Sequence, residues 1–274
     1  MPNVVLLFPG QGSQAPGMGK DLAARFPAAR EVFEAADVAL GVPLSILAFE
    51  GPADELTLTH NAQPALLTHG AAAWAAVRDA IADKVVAAAG HSLGEFTAYH
   101  ASDALPFAEA VRLVRRRGVL MLDAGTRRPG AMAAVLGSLT VPIEEICQEA
   151  TDDAGLVVPA NYNCPGQVVI SGEAAGVDRA MELVKLAGGK AKRLNVSGAF
   201  HSPLMEFAVP GLTTALDLAH FADARFPIYA NVNAQPVKDA ALARRLLVEQ
   251  LTAPVQWTRA IESIALLHPG SLFV

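Results

Sequence analysis

Apolar positions along the chain change their period several times, and each change predicts an element. Val4-Val5-Leu6-Leu7-Phe8 is a continuous apolar run of strand length, closed by the glycine loop Pro9-Gly10-Gln11-Gly12-Ser13-Gln14. Pro27 to Leu40, with Ala29, Val32, Phe33 and Ala36 spaced three or four apart, predicts an amphipathic helix, and Gln63 to Ala82 predicts another. Val85 to Ala89 is too short for a helix and predicts a second buried strand. It runs into Gly90-His91-Ser92-Leu93-Gly94, after which a helical pattern resumes. Strands alternating with helices predict the α/β class with a parallel sheet, in which functional sites lie beyond the carboxyl ends of the strands.

After Arg127-Arg128-Pro129-Gly130 the rhythm shortens. Ala131 to Leu136 predicts a strand, Val141 to Thr151 a helix, Leu156 to Ala160 and Gln167 to Ser171 strands, Ala174 to Leu186 a helix, and Lys190 to Val196 a strand. This βαββαβ order is that of a ferredoxin-like unit. We expect a small subdomain over residues 128–196 inserted into a large one formed by residues 1–127 and 197–274. Helical patterns return at Val209 to Leu218 and Ala240 to Leu251, with a strand at Pro227 to Ala230.

Composition narrows the function classes. A chain of 274 residues that is 52% hydrophobic can bury a sizeable core, while a net charge of -6 offers no basic field for nucleic acid or anionic lipid. Cys147 and Cys164 lack metal-ligand spacing and are expected as reduced thiols. The apolar run at the start is too short for a signal peptide, and no segment approaches a membrane span, so a soluble cytoplasmic protein is expected.

Ser92 has the setting that a Gly-x-Ser-x-Gly nucleophile turn needs: a strand before it, a helix after it, and glycines two residues away on each side. The loop at Gly10 formally matches a dinucleotide fingerprint, but Pro16 and Gly17 interrupt the helix that should follow. Gly19-Lys20 fails the phosphate-loop pattern too, because Gln14 and Asp21 stand where glycine and a hydroxyl residue belong. A better use of this loop is to present a backbone N–H to the oxyanion formed at Ser92. Of seven histidines, His201 is the candidate base, lying in the loop that returns from the inserted unit. His60, His69, His100 and His220 lie on or beside helices, and His91 sits in the turn with its ring expected to point away from the serine. At about 100° per residue from Phe107, Arg117 falls in the apolar arc of its helix while Arg115 and Arg116 fall outside. A buried guanidinium needs an anion, either a protein carboxylate or one on the substrate.

The ordered set Phe8-Pro9-Gly10-Gln11-Gly12-Ser13-Gln14, Gly90-His91-Ser92-Leu93-Gly94-Glu95, Arg117-Gly118, Asn161-Tyr162-Asn163-Cys164-Pro165-Gly166-Gln167, Gly198-Ala199-Phe200-His201-Ser202 and Gln250-Leu251 through Pro254-Val255-Gln256-Trp257 resembles the malonyl-CoA:acyl-carrier-protein transacylases. The resemblance implies an α/β-hydrolase-like core with a ferredoxin-like insertion. It implies Ser92 as nucleophile, His201 as general base and acid, the backbone amides of Gln11 and Leu93 as oxyanion hole, and Arg117 as partner of the malonyl carboxylate. It further implies that a backbone carbonyl at Gln250 orients the histidine, that Phe200 belongs to the malonyl-selective form, and that Asn161 and Asn163 shape the cleft. Malonyl-CoA and acyl carrier protein are the implied partners, with no metal or other cofactor required, and a monomer is expected. Leu122 departs from the family, which commonly has glutamine there, and the family pattern continues past Val274 into a Gly-Pro-Gly loop and a helix. The alternatives are a serine esterase or thioesterase, a malonyl-loading acyltransferase of a malonate decarboxylase or polyketide synthase, and a non-catalytic docking module. The start at Met1 favours a discrete subunit, and the intact Ser92 and His201 disfavour the docking module.

Overall fold

The computed structural model describes residues 2–274. Strand β1 (Val4–Phe8) is followed by helices α1 (Lys20–Arg25), α2 (Pro27–Leu40), α3 (Leu44–Glu50), α4 (Ala53–Thr57) and α5 (Thr59–Ile81). Strand β2 (Val85–Gly90) then leads into α6 (Gly94–Ala101) and α7 (Phe107–Arg127). A second group comprises β3 (Ala131–Leu136), α8 (Ile143–Ala150), β4 (Val157–Cys164), β5 (Gln167–Gly172), α9 (Ala174–Leu186) and β6 (Lys190–Arg193). The chain returns through α10 (Val209–Leu218), β7 (Ile228–Tyr229), β8 (Pro236–Val237), α11 (Ala240–Glu249), α12 (Trp257–Leu267) and β9 (Leu272–Phe273).

The expected mixed α/β architecture is present as two sheets. The first has the order β8-β7-β2-β1-β9, parallel except for the edge pair β7–β8. Its central strands are apolar on both faces, as a sheet covered by helices requires. The second sheet, β4-β5-β3-β6, is antiparallel throughout. It buries one face against α8 and α9 in a core of its own that includes Ala133, Val135, Ile146, Ile170 and Val177. Among the described residues no helix is long and apolar enough to cross a membrane.

Several element ends differ from the sequence reading. Helix α5 begins at Thr59, four residues before the expected Gln63, and so carries Pro64 inside it. Proline has no N–H to give the His60 carbonyl, and the Arg115 guanidinium donates to that oxygen instead, at 2.7 Å. Strand β4 runs on to Cys164 because its outer edge is paired: Val255 N–H donates to Ala160 O (2.8 Å) and Tyr162 N–H to Val255 O (2.9 Å). Those bonds fasten the antiparallel sheet to the segment leading into α12. Strand β6 stops at Arg193, and β7 shrinks to two residues.

Helices α5 and α7 pack closely, and Gly118 permits it. A Cβ there would stand 2.6 Å from His60 Cα and 2.8 Å from Thr59 O, both main-chain atoms that cannot step aside. Gly118→Ala is therefore expected to destabilise the fold by about 1–3 kcal/mol, despite the better helix propensity of alanine. Urea denaturation of the two proteins side by side checks it.

Candidate active site

The parallel sheet sets the site by placing the ends of β1 and β2 side by side, with Phe8 opposite Gly90. The Gly10 loop and the Ser92 turn therefore emerge together. The turn is too tight for side chains at its flanks: a Cβ on Gly90 would lie 1.9 Å from the Gly94 carbonyl carbon, and one on Gly94 2.3 Å from Phe8 O. Ser92 itself has φ 53°, a left-handed conformation that costs a non-glycine residue about 1–2 kcal/mol. Asn231 steadies the strained turn from both sides. Its Oδ1 accepts the Ser92 N–H at 2.6 Å, and its Nδ2 donates to Gly90 O at 2.7 Å.

His201, also left-handed at φ 56°, reaches in from the loop before the Pro203–Ala208 turn. Its Nδ1–H donates to the main-chain carbonyl of Gln250 at 2.8 Å, which leaves Nε2 as an acceptor 2.8 Å from Ser92 Oγ. No carboxylate takes part in this pairing. Burial, and next the positive charge of Arg117, push the imidazole down to about 3, so the ring is neutral at physiological pH.

Arg117 is 1% exposed, and among the described residues no carboxylate lies within ion-pair reach of it. Its guanidinium is held by neutral groups: Nη1 donates to Gln63 Oε1 (2.7 Å), and Nη2 to Gln250 Oε1 (2.9 Å) and Ser92 Oγ (3.0 Å). Phe96 stacks with its centroid 5.5 Å from the guanidinium carbon. Burial lowers its pKa to about 10, which leaves it charged at neutral pH. Gln63 Nε2 donates to Thr59 Oγ1 (3.1 Å), which donates to Gln11 Oε1 (2.8 Å), so the Gln11 loop is tied to the arginine by hydrogen bonds.

These groups line one cleft of about 630 Å³ between the two sheets. Gln11, Ser92, Leu93, Arg117, Asn161, Phe200 and His201 all face it, and Gln250 lies buried behind. The backbone N–H groups of Gln11 and Leu93 have no acceptor among the described residues. His91 faces the cleft rather than turning wholly away, but its Nε2 is spent on Asn163 Oδ1 at 2.9 Å. The wall opposite Ser92 comes from the antiparallel sheet, through Met132, Ala134 and Val169. Sequence reasoning missed Gln63, Asn231 and the role of Glu95, whose Oε2 accepts from the Asn231 N–H and from Gln250 Nε2. Only the identity of Glu95 within the serine motif gave any signal, since the bonds that tie these residues to Arg117, Ser92 and Gln250 span long chain separations.

A polarised serine beside a neutral imidazole, free backbone amides and a buried cation suit acyl transfer to and from a hydroxyl. The comparisons point the same way. The family model for the acyl transferase domain matches residues 5–272. A malonyl CoA-acyl carrier protein transacylase of Bacillus subtilis is 45% identical over 96% of this chain and 83% of its own length. Its counterpart in Salmonella typhimurium is 41% identical over 97% and 86%. The acyl-carrier-protein-S-malonyltransferase of Bartonella henselae superposes with a TM-score of 0.93 at 42% identity, covering 98% of this chain and 86% of that one. A malonyl-transacylase solved in complex with its type II PKS acyl-carrier protein gives a TM-score of 0.92 at 38% identity, covering 97% and 86%. With a family model spanning nearly its whole length and relatives this similar, the chain belongs to the acyl transferase family.

Proposed function

We propose that the protein transfers a malonyl group from malonyl-CoA to the phosphopantetheine thiol of an acyl carrier protein through a malonyl-serine intermediate. The observation that carries this reading is the buried Arg117 guanidinium, without a carboxylate partner, facing the cleft 3.0 Å from Ser92 Oγ. A cation so placed can take a carboxylate on the acyl group bidentately, which an esterase acting on neutral acyl chains would not require. The names of the relatives agree with it.

In the mechanism that follows, His201 Nε2 takes the Ser92 proton as Oγ bonds to the thioester carbonyl carbon. The carbonyl oxygen gains negative charge, and the Gln11 and Leu93 N–H groups receive it, each such donor being worth about 3 kcal/mol. Collapse breaks the C–S bond, and the His201 proton passes to the departing coenzyme A thiolate. In the second half the carrier thiol loses its proton to His201, attacks the malonyl ester, and Ser92 leaves with that proton restored. Phe200 and the β-sheet wall limit the acyl space, and Asn161 shapes its rim.

The architecture is read as an α/β-hydrolase-like unit of residues 1–127 and 197–274 with a ferredoxin-like unit of residues 128–196 inserted. The strand order β4-β5-β3-β6, with two helices on one face, supports the second part. The protein would act as a cytoplasmic monomer that works without metal or redox cofactor.

Intact-mass analysis tests the function. Malonyl-CoA should leave a malonyl adduct that is absent in Ser92→Ala and that passes to the thiol of holo acyl carrier protein on mixing. Discharge of the adduct to water with none reaching the carrier would refute the transferase reading. The base has its own signature. A histidine is a base only above its pKa, and His201 is held near 3, so labelling of Ser92 by a neutral fluorophosphonate should stay level from pH 8 down to pH 5. A rate that halves near the ordinary histidine value of about 6.5 would contradict it.

A further inference from the structure

Glu95 lies in the first turn of α6 and is 1% exposed, a costly place for a carboxyl group. Only one of its oxygens is engaged. Oε2 accepts the Asn231 main-chain N–H at 3.0 Å and Gln250 Nε2 at 2.7 Å, while Oε1 has no partner among the described residues. Both donors serve the site. Asn231 holds the Ser92 turn, and Gln250 supplies the carbonyl that orients His201 as well as the amide oxygen that receives Arg117. A single carboxylate oxygen therefore joins the anchors of all three groups.

The chemistry of the amide makes this more than packing. A glutamine side chain has an accepting end and a donating end of nearly equal shape. Turned the wrong way, Gln250 would aim its NH2 at the Arg117 guanidinium, donor against donor. On the opposite side the NH2 finds Glu95 Oε2 at 2.7 Å and, by a longer bond of 3.2 Å, the Ser92 carbonyl, and only one orientation of the amide satisfies these neighbours together with Arg117. Burial raises the Glu95 carboxyl to about 7, and a proton placed on Oε1 would leave Oε2 accepting as before.

We propose that Glu95 is a positioning residue for acyl selection: by accepting from Gln250 Nε2 it fixes that amide with its oxygen toward Arg117, which keeps the guanidinium aimed at the acyl group on Ser92. This rests on Arg117 being the partner of the malonyl carboxylate.

The test compares wild type, Glu95→Met, Glu95→Gln and Arg117→Ala. For each, KM and kcat with malonyl-CoA are measured, and the ratio of malonyl to acetyl loading on Ser92 is read by intact mass. Glu95→Met fills the space without an acceptor. It should raise the malonyl-CoA KM and lower the loading ratio by about tenfold each, with malonyl loading falling more than acetyl loading per folded molecule. Glu95→Gln, which can keep an oxygen at the Oε2 position, should restore both to within about threefold of wild type. If Glu95→Met does not fold, Glu95→Asp carries the same prediction, because its shorter arm withdraws the acceptor from Gln250. A variant that loses stability yet keeps the wild-type ratio overturns the proposal, as does a Glu95→Gln ratio as low as that of Glu95→Met. Arg117→Ala separates the two levels. If it leaves the ratio unchanged, the reading of Arg117 itself falls; if it lowers the ratio and Glu95→Met does not, only the role of Glu95 falls.

Discussion

A guanidinium sealed from water with no carboxylate touching it is the constraint around which this cleft is arranged. Burying Arg117 unpaired would cost several kcal/mol. The chain offsets this with two glutamine oxygens, the serine hydroxyl and the face of Phe96, all neutral. Neutral acceptors stabilise a cation less than an ion pair does, which keeps its charge available to an arriving anion. A carboxylate built against it would have satisfied the fold and closed the site to a charged acyl group.

The same economy appears at the imidazole beside the serine. His201 takes its orientation from a main-chain carbonyl, so its tautomer is set without a negative charge beside it. An acid in that place would raise the imidazole pKa and would also compete for Arg117. Instead, burial and the nearby cation keep the ring neutral. Strain is part of the arrangement, because both Ser92 and His201 stand in left-handed backbone that the fold must over-determine. Asn231 and the Gly90–Gly94 contacts do so for the serine.

Local features were legible in the sequence. The serine turn is written in adjacent residues, and strands β1, β2 and β3 and helices α2, α9 and α10 follow the periods that predicted them. The phase of one helix sufficed to bring Arg117 inside, though not to say what would meet it there. Features that depend on pairing between distant segments were not legible. The last residues of β4 become strand only because Val255 lies against them. The start of α5 was hidden by Pro64, whose cost is met by Arg115 from another helix. Gln63, Asn231 and Gln250 look like ordinary polar residues until the fold gathers them. The resemblance to a known family supplied Gln250; nothing in the local pattern singled out the other two.

The charge of the acyl group is the property that the proposed role of Arg117 depends on. The most direct measurement compares the single-turnover loading rate of Ser92 by malonyl-CoA with that by its neutral isostere, in which the free carboxylate is a carboxamide. A site built for the anion should reject the amide by about 100-fold or more, a discrimination of about 2.7 kcal/mol. Equal loading by the two thioesters would contradict it.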